Sequence, residues 1–331
     1  MLRSEDDFLA LIDRCFPNAG PGILTGRGDD CAVLEVPGTI CLTTDLFLEG
    51  THFRLDYFSP GDVGHKALAV NLSDIAGMGA RPLGFSLGLM VPPGLDQGFF
   101  EELFAAMAAL AERSGCPLTG GDLSRADRLG LSITAWGGSP RFLARGSCRP
   151  GDLLFTLGPL GLARTGLLAL EQEGLRAATR SFPAAVAAHL RPEVDLPAAL
   201  TLSQSPAVQG LMDVSDGLAR DLPRFLGPEL GLEVALLAAD LPPEVTAWAQ
   251  RTGSDPFEFA LLGGEDYALL GAASPQGFPA LQAALPGLTR LGKVLDTPGL
   301  WRDGERLALA GFDHFTGETP KKTPEKTPEK T

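Results

Sequence analysis

The sequence predicts a two-domain α/β protein with mixed sheets. First, the chain has 331 residues, which is more than one hydrophobic core usually organises. Second, short apolar or β-branched runs alternate with segments of helical periodicity along both halves. Third, a turn-rich stretch from Arg145 to Asp152 separates the two halves. We therefore place an N-terminal domain at residues 1–145, a C-terminal domain at 146–316 and a tail at 317–331.

The first half begins with an amphipathic helix, for which Ser4 is a suitable N-cap. The apolar, β-branched run from Thr39 to Leu42 predicts a buried strand that delivers Asp45 at its C-terminal end. The next elements follow from apolar residues at helical spacing or from continuous apolar runs. They are a helix from about Asp62 to Ala80, a strand at Gly84–Val91, a helix at Gln97–Ser114 and a strand at Leu131–Trp136.

The second half repeats this α/β rhythm. A short strand at 209–212 leads into Asp213, and Ser215 is placed to cap a helix that runs through Arg220 to Phe225. The Ala- and Pro-rich segment 183–204 predicts two short helices. The remaining predictions are strands at 153–157, 232–237 and 267–270 and a helix at 162–171. The tail repeats TPEK and has no apolar residue, so we expect it to be disordered.

Composition narrows the class of function. The formal net charge is −14, which argues against a nucleic-acid partner because binding to the phosphate backbone needs clustered Lys and Arg. Five cysteines lie without CxxC spacing, a pattern of reduced thiols in a cytosol. Neither a signal peptide nor a stretch long enough to span a membrane is evident. We therefore expect a cytoplasmic protein with no membrane partner.

A set of aspartates suggests the chemistry. Asp45, Asp122 and Asp213 each follow a predicted strand, and ligands of α/β proteins gather at the carboxyl ends of strands. Three further acids, Asp30, Asp74 and Asp216, are candidates for the same cluster. So many carboxylates share one site only if cations neutralise their charge. Neither a Walker A lysine motif nor a kinase catalytic loop is present. The residues alone indicate a site where several Mg²⁺ ions bind a polyphosphate. The alternative is that these acids lie in solvated turns and bind no ligand.

Seven motifs in a fixed order carry a family resemblance. Each is weak alone, but the ordered set resembles the thiamine-monophosphate kinase family and covers nearly all of the chain before the tail. The motifs are GDDCAVL, TTDLFLEGTHF, GHKALAVNLSDIAGMGARP, GGDLSRAD, DVSDGLARDL, GGEDYALL and GFDHF.

The resemblance implies an aminoimidazole ribonucleotide synthetase-like fold whose N-terminal domain contributes to a barrel shared across a homodimer. It also implies that ATP and thiamine monophosphate are converted to ADP and thiamine diphosphate, with Mg²⁺ as cofactor. Two alternatives remain open. One is another ATP-dependent enzyme of the same superfamily, and the other is a catalytically silent protein that binds a Mg-nucleotide.

The resemblance also implies roles for individual residues. Asp45, Asp74 and Asp213 take the central catalytic positions. Gly121, Asp122, Arg145 and Ser215 match ATP contacts, and His52, Glu265 and Phe312 match contacts to thiamine monophosphate. The implied Mg²⁺ ligands are Asp30, Thr43, Thr44, Asp45, Asp74, Asp122, Asp213 and Asp216.

Four further polar residues are not assigned to the site. His65 and His189 are read as ordinary residues with no role in chemistry. Asp266 is expected to be structural, with hydrogen bonds to the backbone of its loop, and Asp221 is expected to lie at the surface.

Overall fold

Two mixed β-sheets, each packed with helices, organise the chain in the computed structural model, which describes residues 4–27, 31–36 and 38–307. The N-terminal half holds a four-stranded sheet, a small two-stranded pair and the helices α1–α3. The helices are α1 (Glu5–Cys15), α2 (Pro60–Gly77) and α3 (Gln97–Ser114), and the strands are β1 (Ile23–Thr25), β2 (Val33–Leu34), β3 (Ile40–Leu48), β4 (Arg81–Val91), β5 (Leu118–Arg125) and β6 (Gly130–Gly138).

The C-terminal half holds a seven-stranded sheet in the order β13-β12-β9-β11-β7-β10-β8. Its strands are β7 (Leu153–Leu157), β8 (Val208–Asp213), β9 (Gly231–Val234), β10 (Leu269–Ala273), β11 (Leu288–Leu295), β12 (Gly299–Arg302) and β13 (Glu305–Leu307). Its helices are α4 (Leu162–Glu173), α5 (Leu175–Ser181), α6 (Pro183–Leu190), α7 (Leu196–Gln204), α8 (Leu218–Leu226), α9 (Pro243–Thr252), α10 (Pro256–Leu261) and α11 (Phe278–Ala284).

Helix α2 is the central element between the two sheets. It starts with a capping box, in which the Ser59 hydroxyl accepts from the Asp62 backbone N–H at 3.2 Å and the Asp62 carboxylate accepts from the Ser59 N–H at 3.0 Å. Nearly every residue of α2 is buried, because one side packs on the N-terminal sheet and α3 and the other meets β8 and α7. A helix buried all round explains why its sequence is apolar beyond a single stripe.

The N-terminal sheet has the strand order β3-β6-β4-β5, with β4 and β5 parallel and the other pairs antiparallel. Side chains alternate along β3, so Thr43, Asp45 and Phe47 face α2. Leu42 and Leu46 face the opposite way and are 64% and 53% exposed. One face of this sheet is therefore covered by helices, while the other carries exposed leucines.

Two acids lie within strands and not after them, contrary to the sequence prediction. Strand β3 continues through Asp45 to Leu48, because Thr43 and Thr44 are β-branched and the alternation of faces persists. Asp122 lies inside β5, where the parallel strand β4 brings the Leu87 carbonyl against the Cα of Gly121 and leaves no room for a side chain. Asp213 is the last residue of β8, as predicted.

Most other elements match the predictions to within a few residues, including two short helices, α6 and α7, in the Ala- and Pro-rich segment. The N-cap assignment at Ser215 was wrong, since α8 begins at Leu218 after Gly217 and has no side-chain cap. The segment 139–152 joins the two sheets and contains the predicted domain boundary. Predictions for Asp30, Phe312 and the tail concern residues outside the described part of the chain.

The two halves touch where α2 ends. A Cβ on Gly77 would lie 2.9 Å from the Asp213 backbone nitrogen, so the last turn of α2 meets the end of β8 backbone to backbone. The main apolar core includes residues of both halves, among them Phe104 and Trp248. Among the helices of the described ranges, none is both long and apolar enough to cross a membrane.

Candidate active site

Three of the predicted acids converge where α2, β3 and β8 meet. The Thr43 hydroxyl on β3 donates a hydrogen bond to the Asp74 carboxylate on α2. One residue earlier on α2, the Ser73 hydroxyl donates to Asp213 at 2.7 Å. Asp45 faces the same side of β3 as Thr43 and is electrostatically coupled to Asp74. The fold thus brings together acids from positions 45, 74 and 213.

Burial raises the pKa of all three acids, and the charge of Asp74 raises it further at the other two. Burial raises the pKa of Asp213 to about 7, and the charge of Asp74 adds to the shift. The same two causes, in the same order, raise the pKa of Asp45 to about 6. Burial also raises the pKa of Asp74, while the Thr43 hydroxyl and the Arg145 cation act in the opposite direction. A bound cation would relieve this repulsion, so the electrostatics suit a metal or a positively charged ligand.

The oxygen donors present suit a Mg²⁺ ion that also binds substrate, and they do not form a site in which the protein supplies every ligand. Carboxylate and hydroxyl oxygens are hard ligands, and Mg²⁺ in nucleotide sites takes one or two carboxylates with waters and substrate phosphates. In the part of the chain that the structure describes, no group of three or more His, Cys, Asp or Glu side chains is arranged to hold a metal by itself. The acids present therefore fit a Mg²⁺ site that substrate phosphates complete.

Thr44 does not join the acids. Its hydroxyl lies on the opposite face of the sheet from Thr43 and Asp45, 2.8 Å from the Thr134 hydroxyl on β6. Adjacent residues of a strand point to opposite faces, so only one of the two threonines is able to direct its side chain at α2. The Thr44 hydroxyl therefore points away from the acids, and the role of Thr44 as a metal ligand stays a prediction.

Asp122 and Gly121 lie on the edge strand β5. Both are exposed, and the Asp122 carboxylate accepts a hydrogen bond from Ser124 at 3.3 Å. An edge strand leaves one row of backbone groups without a strand partner. These two residues are accessible to a ligand that approaches along the edge of the N-terminal sheet.

The loop after β8 ties its acids to arginines. Asp216 lies 2.5 Å from Arg224 and 4.0 Å from Arg220, so its carboxylate is paired in this conformation. Asp221 is fully buried and accepts from the Asp216 backbone N–H at 3.1 Å, which corrects the prediction of a surface acid. Burial raises the pKa of Asp221 to about 6, and the charge of Asp216 adds to it. Ser215, the predicted ATP contact, lies in the same loop and is half-buried.

The predicted substrate residues His52 and Glu265 lie at two ends of an aromatic cluster. His52 Nδ1 accepts from the Leu48 N–H at 3.0 Å, and the His52 ring is 6.0 Å from that of Phe47. From Phe47 the contacts pass to Phe58, 6.5 Å away between ring centroids, and from Phe58 to His189 at 5.5 Å. His189 Nδ1 is 3.1 Å from Glu265. A connected cluster of buried rings therefore links the two residues.

Sequence reasoning missed the partners of Glu265. Lys66 on α2 is fully buried, and its ammonium lies 3.1 Å from the Glu265 carboxylate. His189, read as an ordinary residue, is buried beside the other carboxylate oxygen. The signal for Lys66 was available, because a charge within an apolar helix must be either exposed or paired.

Comparisons with known proteins agree with this arrangement. The family model "AIR synthase related protein, N-terminal domain" matches residues 28–138. The thiamine-monophosphate kinase of Aquifex aeolicus (strain VF5) is 32% identical over 294 residues, which is 87% of this chain and 92% of that protein.

Solved structures give the same result. The crystal structure of thiamine-monophosphate kinase from Stenotrophomonas maltophilia K279a has a TM-score of 0.76 and 32% identity, covering 86% of this chain and 92% of that one. The structure of AaThiL complexed with AMPPCP and TMP has a TM-score of 0.72 and 29% identity, covering 95% of this chain and 99% of that one. The chain belongs to the thiamine-monophosphate kinase family.

Proposed function

We propose that this protein transfers the γ-phosphoryl group of ATP to thiamine monophosphate and so forms thiamine diphosphate. The observation that carries the proposal is the convergence of Asp45, Asp74 and Asp213 from both halves of a chain that belongs to this family. The relative complexed with AMPPCP and TMP supports ATP as the co-substrate, since AMPPCP is an analogue of ATP.

Mg²⁺ is the cofactor that this donor set suits. Asp45, Asp74, Asp213 and the Thr43 hydroxyl would hold it, and Asp30, Thr44, Asp122 and Asp216 complete the proposed ligands. When bound, Mg²⁺ would neutralise negative charge on the phosphates of ATP. The Asp216 carboxylate is paired with Arg224, so a metal ion would compete with that arginine for it.

The chain's own contribution to the reaction is positioning. A phosphate oxygen of thiamine monophosphate is ionised at neutral pH, so the reaction needs no strong general base. The residues must align two polyanions for a direct, in-line transfer. Gly121, Asp122, Arg145 and Ser215 are proposed to hold ATP.

His52, Glu265 and Phe312 are proposed to hold thiamine monophosphate at the other end of the site. His52 and Glu265 are half-buried at either end of the aromatic cluster, which suits a flat heterocycle. Phe312, beyond the described residues, remains a prediction of an aromatic ring that stacks on the substrate.

The exposed face of the N-terminal sheet supports a homodimer. Leu42 and Leu46 project from the edge strand β3 on the side that no helix of the described residues covers, and large apolar side chains in such a row mark an interaction surface. We propose that a second copy of the chain packs there and completes a barrel. A cytoplasmic location remains a prediction.

A substrate panel tests the function. The protein is incubated with ATP, Mg²⁺ and either thiamine monophosphate or formylglycinamidine ribonucleotide, and products are identified by mass. Thiamine diphosphate and ADP are the expected products. Turnover of the second substrate would favour another enzyme of the superfamily, and no turnover of either would favour a silent nucleotide-binding protein.

Variants of the acids test their assignment. Asp45→Asn and Asp213→Asn should fold normally and lose about 100-fold or more in kcat, because each removes a charge that holds cations on the phosphates. Asp296→Asn, at an exposed turn between β11 and β12, is the matched control and should keep wild-type turnover. Near-normal kcat in Asp45→Asn at saturating Mg²⁺ would overturn the assignment.

Direct transfer has its own test. Incubation with γ-labelled ATP and no second substrate should leave the protein unlabelled, as read by intact-protein mass. A stoichiometric phosphoenzyme would show that a residue of the chain carries the phosphoryl group and would contradict in-line transfer.

A further inference from the structure

A buried lysine, Lys66, lies beside Glu265, which is a proposed contact to thiamine monophosphate. Lys66 Nζ has no exposed surface and donates a hydrogen bond to the His189 carbonyl oxygen at 2.8 Å. It lies 3.1 Å from Glu265 Oε1 and 5.5 Å from the centre of the Phe58 ring. Burying an ammonium group is costly unless it is paired, so the position of Lys66 depends on Glu265.

The second carboxylate oxygen of Glu265 is also engaged from inside the protein. His189 Nδ1 lies 3.1 Å from Glu265 Oε2, while the His189 ring packs edge-on against Phe58. Burial lowers the pKa of His189, and the neighbouring Lys66 cation lowers it further. His189 is therefore a neutral partner of Glu265. Among the residues that the structure describes, Lys66 is the one cation beside the Glu265 carboxylate.

The backbone at Glu265 is held in an unusual conformation. Its φ is +62°, in the left-handed region that non-glycine residues seldom adopt. The Glu265 N–H donates to the Ser215 carbonyl at 2.8 Å and ties this residue to the loop after β8. Such a conformation persists only where the surroundings fix it, and it is concentrated at functional sites.

The charges around Glu265 define what it is able to recognise. Lys66 from α2 and His189 from α6 face it, Tyr57 lies in the segment before α2, and Asp266 and Tyr267 follow it in its own loop. Burial raises the pKa of Glu265, but Lys66 and His189 outweigh this and hold the pKa below its ordinary range. About 30% of the Glu265 side chain remains exposed, and a carboxylate with one partner at each oxygen keeps lone pairs for a further donor.

We propose that Lys66 and His189 are positioning residues that fix the Glu265 carboxylate as a hydrogen-bond acceptor for an N–H donor group of the substrate. Because the Lys66–Glu265 pair is neutral as a whole, it suits the amino group of an aminopyrimidine better than a bare cation. The inference rests on the proposed function, in which the substrate carries that group.

A mutant cycle read by steady-state kinetics tests the inference. Glu265→Gln should raise KM for thiamine monophosphate by roughly tenfold with a smaller change in kcat, because one charged hydrogen bond is lost. Lys66→Met should raise KM to a similar extent. In the Glu265→Gln background, Lys66→Met should add less than about twofold, because the two residues act as one unit. Lys293→Met, at an exposed position of β11, is the matched control and should leave KM unchanged.

A pH profile separates positioning from general stability. Without Lys66, burial raises the pKa of Glu265, so KM of the Lys66→Met variant should fall as pH rises from 6 to 8, whereas wild-type KM stays flat. His189→Phe keeps a ring against Phe58 and the backbone carbonyl that Lys66 uses, and should raise KM several-fold. That variant keeps the inference testable if Lys66→Met does not fold.

The outcomes distinguish this inference from the function on which it rests. If the wild-type protein does not phosphorylate thiamine monophosphate, the proposed function is wrong, and so is the substrate group named here. If the wild-type protein is active but Lys66→Met raises KM equally in both backgrounds, or His189→Phe leaves KM unchanged, only the positioning role is overturned. A pH-independent KM in Lys66→Met would contradict it equally.

Discussion

Replacing Gly77 by alanine should lower both stability and turnover, because this residue sits where the two halves of the site meet. Its added Cβ would lie 2.9 Å from the Asp213 nitrogen, 3.2 Å from the Met212 carbonyl carbon and 3.3 Å from the Met212 Cα. All three are backbone atoms, which do not move aside as a flexible side chain does. The α2–β8 contact must open instead.

The magnitude follows from two opposing effects. Alanine favours a helix over glycine by about 1 kcal/mol, whereas overpacking costs about 1–3 kcal/mol. The 2.9 Å contact must also lengthen by about 0.5 Å to reach 3.4 Å, where ordinary van der Waals contact begins. The difference is a net loss of up to about 2 kcal/mol in the free energy of unfolding. Because Asp74 and Asp213 lie on either side of this contact, kcat should fall roughly tenfold.

Urea unfolding and steady-state kinetics check the two expectations on one preparation. Gly98→Ala is the matched control, since Gly98 is an exposed residue of α3 whose added Cβ meets only an ordinary 3.4 Å contact. That variant should be as stable as the wild type, or up to about 1 kcal/mol more stable, with unchanged kcat. If Gly77→Ala behaves like Gly98→Ala, the close approach of α2 and β8 does not set the geometry of the acids.

Three further predictions concern Asp266 and the open sheet face. The Asp266 carboxylate accepts from the Gly161 and Ala163 N–H groups, 2.5 and 3.1 Å away at the start of α4. Asp266→Ala removes this acceptor and should lower the free energy of unfolding, measured in urea, by about 2–4 kcal/mol. A loss below about 0.5 kcal/mol would contradict a capping role. Burial raises the pKa of Asp266 to about 7 from 3.8, so the folded state keeps a proton that the unfolded state releases, and stability from this group declines as pH rises from about 4 to 7. Asp266→Asn should remove that decline from a Tm series over this range, and an unchanged slope would show that another group causes it. Leu42→Asp combined with Leu46→Asp should shift sedimentation from dimer to monomer without changing the helical circular dichroism, whereas a surviving dimer would place the interface elsewhere.

Local pattern was enough to predict much of the fold. The helix that begins near Asp62, the two short helices of the Ala- and Pro-rich segment and the strand that ends at Asp213 all follow from short-range rules. The convergence of Asp45, Asp74 and Asp213 was anticipated because acids at strand ends and on an apolar helix need a common reason to be there. The Thr44 hydroxyl points away from the acids because the faces alternate along β3, which local pattern predicts and the resemblance alone does not.

Long-range partners could not be predicted in the same way. Lys66 and Glu265 are about 200 residues apart in the chain, and neither local periodicity nor spacing indicates which buried cation meets which carboxylate. Asp221 looked exposed because helical periodicity shows which face it occupies but not that the Asp213–Gly217 loop folds over that face. The ion pairs of Asp216 with Arg220 and Arg224 depend equally on the path of this loop.

The path of α2 has a consequence for chimaeric proteins. A crossover in the segment 139–152 that joins sequences of two relatives would take α2 from one parent and β8 from the other. The recombined protein would then carry Asp74 and Lys66 from the first parent but Asp213 and Glu265 from the second. Such a crossover preserves both sheets intact and still divides the Ser73–Asp213 and Lys66–Glu265 contacts. Parents must therefore match at the backbone contact beneath Gly77 before their halves are interchangeable.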